Sequence, residues 1–177
     1  MIKTIGVLFK TFLNMCIFRY RPQDLPQSYD LLIVCLFFYT LVNVLLAMTT
    51  APFAQALQIS VLDTAIVTII TVFILKLNRH YERWLKTLMA IAGTGCIIGL
   101  FTLPLFAGAF LLEVSELIQS VILMIYLALL IWNIVIMGHI LRHAMETTLG
   151  IGIVFAVIYL VITSTLISVV IPRPDAV

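Results

Sequence analysis

Apolar residues run almost unbroken through five stretches of the chain, at 31–49 (LLIVCLFFYTLVNVLLAMT), 57–77, 87–108, 117–138 and 148–171. Each reaches the roughly 20 residues that a helix needs to cross a ~30 Å hydrocarbon core. They are too long and too continuously apolar for barrel strands, so their backbone groups must bond within helices. The pattern predicts an all-α fold, a polytopic bundle of five transmembrane helices over 31–171, followed by an external tail at 172–177. Residues 1–20 are patterned differently. At about 100° per residue Lys3, Lys10, Asn14 and Arg21 fall close to one line, while Ile5, Leu8, Phe9, Phe12 and Ile17 lie elsewhere. This predicts an amphipathic interfacial helix over 1–20 with its basic stripe on lipid headgroups. Lys10 interrupts what a signal peptide would need as its apolar region, and no A-x-A pattern follows. Residues 21–30 form a linker in which Pro22 and Pro26 disfavour a continuous helix. Ser28 then caps the first span, with Asp30 in its first turn.

The composition of the 177 residues, 63% apolar and 10% charged, excludes a water-soluble domain, which is about half apolar and a quarter charged. Too few residues remain outside the spans for a separate globular unit. A net charge of +2 offers no basic surface for nucleic acid. Where the charges fall is more informative. Lys3, Lys10, Arg19 and Arg21 precede the first span, Lys76, Arg79, Arg83 and Lys86 lie between the second and third, and Arg142 lies between the fourth and fifth. The opposite side carries the 50–56 turn, the Glu113/Glu116 turn and Arg173. The positive-inside rule therefore predicts a cytoplasmic N-terminus and a periplasmic C-terminus. Lys3, Lys10, Arg21, Arg79, Arg83 and Lys86 are the candidates for binding anionic headgroups, with Tyr81 and Trp84 as interface anchors. Cys16, Cys35 and Cys96 stand apart from one another and read as buried thiols, Cys16 being also a candidate for acylation near the interface.

Asp63 is the formal charge that lies well inside a span, and an intramembrane carboxylate is a functional candidate because it must pair, protonate or face water. It sits about six residues, or ~9 Å, from the outer end of the second span. Asn43 lies equally deep in the first, so the two are expected to meet. Thr40, Asn43, Ala47 and Thr50 on one helix and Ser60, Thr64, Thr68 and Thr71 on the next form stripes expected to pack inward. Gln119, Tyr126 and Asn133, spaced by seven with Met137 on the same line, form a polar seam facing the bundle. Ser164 and Ser168 lie one turn apart, and Gly95-x-x-x-Gly99 has the small-residue spacing of close helix approach. Pro104 is placed to kink the outer end of its span.

His139, His143 and Glu146 at i, i+4 and i+7 are weak metal candidates, lacking a third histidine; the competing reading is a solvated face with an Arg142–Glu146 pair. No nucleotide-binding or nucleophile motif appears, so neither a catalytic residue nor a cofactor is expected.

The entry to the first span, Arg21-Pro22-Gln23-Asp24-Leu25-Pro26-Gln27-Ser28, together with Trp84 after the second span and Trp132-Asn133 before the His139–Glu146 turn, resembles a small bacterial member of the Yip-like five-span superfamily. The resemblance is chiefly one of architecture, and the long N-terminal region and DLYGP-type motif of the eukaryotic proteins are absent. It implies a non-enzymatic inner-membrane protein, acting as a structural, assembly or adaptor partner for other membrane proteins or for itself. The alternative from the residues is a small transporter or proton-coupled permease using Asp63.

Overall fold

The computed structural model describes residues 2–111 and 115–170. Among the described residues there are six α-helices: α1 (Ile2–Cys16), α2 (Tyr29–Ala47), α3 (Phe53–Leu77), α4 (Trp84–Leu111), α5 (Glu116–Met145) and α6 (Leu149–Val170). Short 3-10 turns stand at Pro22–Asp24 and Tyr81–Arg83, and no strand occurs among the described residues. The five helices α2 to α6 are long and apolar enough to cross a membrane, which makes this a multi-pass membrane fold. Glu113, Arg173, the tail at 172–177 and the side chain of Lys3 lie outside the described residues.

Several helices outrun the spans read from hydropathy. α3 starts at Phe53 rather than 57, because Pro52 serves as its N-cap and the polar Gln55 joins the first turns. α4 starts at Trp84 and runs through Pro104 as one helix. α5 reaches Met145 instead of 138, since His139, Ile140, Leu141 and Ala144 are buried by neighbouring elements and not dissolved in a loop. α1, in contrast, stops at Cys16. Thr50 falls beyond the end of α2 and is exposed, so it leaves the inward stripe assigned to it. In the linker Ser28 Oγ accepts the Leu31 N–H at 3.4 Å, satisfying one of the orphan donors at the start of α2.

The five spanning helices close into a ring in the order α2, α4, α5, α6, α3, with α2 against α3 completing it, α4 also touching α3 across it, and α1 packed on α4. α4 is the most enclosed, with 61% of its apolar window buried against 11% in α5. Small residues permit the tight contacts, as they do wherever helices associate in lipid without a hydrophobic driving force. A Cβ at Gly99 would stand 2.5 Å from Val42 Cγ1, and one at Gly95 2.8 Å from Tyr39 Cε2. Phe12 of α1 lies over Gly93 of α4, where any side chain would strike its ring. Trp132 of α5 holds the same helix by donating from Nε1 to the Cys16 carbonyl at 3.0 Å. Cys16 is thereby buried, at 3% exposure, and burial pushes its thiol up to about 11. Acylation of Cys16 is incompatible with this placement.

Three helices end alike at one end of the bundle. Phe18, Arg79 and Glu146 have φ of 61°, 60° and 56°, and the N–H of the residue after each closes back on the carbonyl five positions earlier: Arg19 on Asn14, His80 on Leu75 and Thr147 on Arg142. These are Schellman caps built without glycine, in a left-handed conformation that costs a side-chain-bearing residue about 1–2 kcal/mol. Arg79 is exposed, and among the described residues its side chain forms no hydrogen bond. Arg79→Gly is therefore expected to raise stability by about 0.5–1 kcal/mol after the entropy of glycine is allowed for. Thermal unfolding in mild detergent checks this, and a lower melting temperature would refute it.

Candidate functional site

The site grows from the polar residues that lipid cannot solvate. Asp63 sits on α3 nearly three turns from its Phe53 end, facing α2 and α6. Tyr39 donates its hydroxyl to Asp63 Oδ2 at 2.7 Å, and Asn43, one turn further along α2, donates Nδ2 to the same oxygen at 3.2 Å. From α6 the Tyr159 hydroxyl donates to Oδ1 at 3.4 Å. Three donors from two helices thus converge on one carboxylate, and no cation pairs with it: the ion pair found among the described residues is Arg83–Glu146, at the basic end.

On the ring's inner side Tyr39, Asn43 and Tyr159 form one wall of a cavity of about 180 Å³. Thr94, Thr102 and the bare backbone at Gly95 and Gly99 form the α4 wall, and Tyr126, Asn133 and Met137 the α5 wall. Asp63 lies behind the first wall and does not line the cavity. The seam read on α5 therefore divides. Tyr126 and Asn133 reach this space, Tyr126 with its ring edge-on to Phe106 at 5.1 Å, but Gln119 is exposed together with the whole stretch 115–121. The seven-residue spacing aligns Gln119 with the seam, but at this end of α5 the seam is exposed and does not bury it.

The threonine and serine stripes also sort by depth. Ser60 and Thr71 are buried, their places set by packing. Thr64 and Thr68 are half-buried, and the Thr40 and Thr64 hydroxyls meet at 2.7 Å. Ser164 and Ser168 are exposed and bond the carbonyls of Val161 and Thr165 on their own helix. A hydroxyl bonded back to the preceding turn is tolerated in an apolar setting, which removes the need for an inward position.

At the basic end the charged side chains turn toward the protein. Arg83 pairs with Glu146 and donates to the carbonyls of His143 at 3.3 Å and Ala144 at 3.4 Å. Lys86 donates to the Gln23 carbonyl at 2.8 Å. These two cations, candidates for lipid headgroups in the sequence, fasten the 3-10 turn and the end of α5. Arg21 and Arg79 remain exposed, as does Lys10. The hydrogen bond from Arg83 holds the Glu146 carboxyl below the usual carboxylate range. The Arg142–Glu146 pair read at i, i+4 does not form, because α5 ends at Met145 and the left-handed Glu146 turns off the helix face.

His139 and His143 do stack edge to face, ring centroids 4.6 Å apart, but Glu146 is engaged elsewhere. His139 is buried against Phe18, with its Nε2 lacking a hydrogen-bond partner. Among the described residues no group of three side chains is placed to hold a metal ion.

Tyr39 and Tyr159 are the members of the acidic cluster that sequence reasoning passes over. A signal for Tyr39 exists, since it lies four residues before Asn43 and so on the same helical face. None points to Tyr159, whose approach depends on α6 lying beside α3. Compared with models of protein families, with curated proteins and with solved structures, the chain finds no match.

Proposed function

We propose that this chain is a non-enzymatic protein of a bacterial inner membrane, with Yip-like architecture, that serves as a structural, assembly or adaptor partner for other membrane proteins or for a second copy of itself. One observation carries the reading. Both oxygens of the intramembrane carboxylate are engaged by donors from α2 and α6, which is how a polar group fixes the register of neighbouring helices. Its N-terminus is cytoplasmic and its C-terminus periplasmic, following the segregation of Lys and Arg. α1 lies along the cytoplasmic leaflet as an amphipathic helix. Phe12, Met15 and Cys16 are buried, Phe12 over Gly93 of α4, while Lys10 is exposed and available to anionic headgroups with Arg21 and Arg79. The cavity beside Asp63 favours a second reading, a small transporter or proton-coupled permease.

Co-purification in mild detergent of wild type and Asp63→Asn tests the first reading. Both are expected to retain the same membrane-protein partner or a second, differently tagged copy. A chain that purifies alone, and whose Asp63→Asn form loses proton flux in vesicles at unchanged thermal stability, would replace it with the permease. For topology, single cysteines placed at 54 and 80 in a cysteine-free background are expected to label from outside intact cells at 54 alone; labelling at 80 alone reverses the orientation.

A further inference from the structure

The hydroxyls around the cavity have their hydrogens already committed. Tyr39 and Tyr159 donate to Asp63. Thr94 donates to the Ala90 carbonyl at 2.7 Å and Thr102 to that of Ile98 at 2.8 Å. What these four residues leave for an occupant are acceptor lone pairs, since a hydroxyl has a single hydrogen and two lone pairs. Asn43 uses one N–H on Asp63, leaving its Oδ1 and a second N–H, and Asn133, which makes no hydrogen bond within the described residues, adds a further amide oxygen together with its NH2 group. The wall is therefore rich in acceptors. Its field has one sign as well. Asp63 has no cationic partner, and Lys and Arg are absent from the chain between Asp30 and Lys76, between Lys86 and Arg142, and throughout α6. In a low-dielectric interior an unpaired carboxylate favours whatever positive group can approach it.

We infer that the cavity between α2, α4, α5 and α6 is a binding site for a small alkylammonium ion, whose N–H groups donate to Tyr39, Tyr159 and Asn133 and whose charge is balanced by Asp63 behind them. An ammonium offers three donors and no acceptor, the complement of such a wall. The volume of about 180 Å³ is far above the ~10–15 Å³ that one water needs on the same measure, room for a short alkyl chain and its headgroup. Zwitterions, amino acids and phospholipid headgroups included, bring an anion for which the cavity has no cation. The site stands whether the chain is a partner protein or a permease.

The test uses the full chain in mild detergent with propylammonium, and with propan-1-ol and propionate as probes of like size. Propylammonium is expected to raise the melting temperature saturably, and the other two to leave it unchanged. Calorimetric affinity for propylammonium is expected to fall about tenfold or more in Asp63→Asn, and likewise in Asn133→Leu, which removes a wall acceptor without breaking any internal bond. Equal stabilisation by propan-1-ol, no response to propylammonium, or full affinity in Asn133→Leu would each overturn the inference. If Asp63→Asn does not fold, the probe series on wild type and the Asn133→Leu affinity decide alone.

Discussion

Gly152→Leu is expected to prevent α5 and α6 from packing, lowering stability by about 3 kcal/mol or more. The reason is the nature of the opposing surface. A Cβ at Gly152 would land on the carbonyl of Gly138 and come within 3.1 Å of the Arg142 nitrogen, both backbone, and one at Gly138 would meet the Ile153 backbone nitrogen at 2.9 Å. A flexible side chain can move aside, but a helix backbone moves only as a whole. Gly150, two residues earlier on α6, supplies the control: nothing stands within 4 Å of its Cβ position. Gly150→Ala is expected to be neutral or slightly stabilising through its better helix propensity. Thermal unfolding in mild detergent compares the two, and a Gly152→Leu protein as stable as wild type would show that the helices do not cross at these glycines.

Asp63→Leu carries the second large effect. It removes three interhelical bonds at once, from Tyr39, Asn43 and Tyr159. At about 0.6 kcal/mol for each bond between helices in a membrane, the loss comes to about 2 kcal/mol. Asp63→Asn keeps an acceptor for the Tyr39 hydroxyl and is expected to lose less than half of that. Tyr39→Phe, which removes the shortest of the three bonds, belongs between wild type and Asp63→Leu. Unfolding of the three variants side by side measures the order, and equal stability of Asp63→Leu and wild type would deny the cluster any part in joining α2, α3 and α6.

The existence of the five spanning helices was legible because lipid imposes one rule, continuous apolar length, that needs no knowledge of neighbours. Their ends were not. The apolar run stops at 138, and the burial of His139, Ile140, Leu141 and Ala144, with His139 against Phe18, explains why α5 continues past it. The meeting of Asn43 with Asp63 follows from equal depth on consecutive helices, a local argument. Tyr159 lies 96 positions from Asp63, and no periodicity within one segment reports which segments become neighbours. The Gly138–Gly152 contact escaped for the same reason, each glycine being unremarkable on its own helix. The three caps at Phe18, Arg79 and Glu146 lack the glycine that normally marks such a turn, so the stop signal was missing where the stop occurred.

The ring order has a consequence for how the chain assembles during insertion. α2 with α3, and α5 with α6, are consecutive in sequence and pack on each other directly, so each pair can form as a helical hairpin as soon as its second member enters the bilayer. Contacts this local are fast to make. α4 is different. It packs on α1, α2 and α3, all made before it, and on α5, made after it, so the part of its surface that meets α5 stays open until the second hairpin arrives. Gly95 and Gly99 already lie against Tyr39 and Val42 of α2 by then, so the most buried helix is closed in two stages, and only its α5 side waits for synthesis of the last third of the chain.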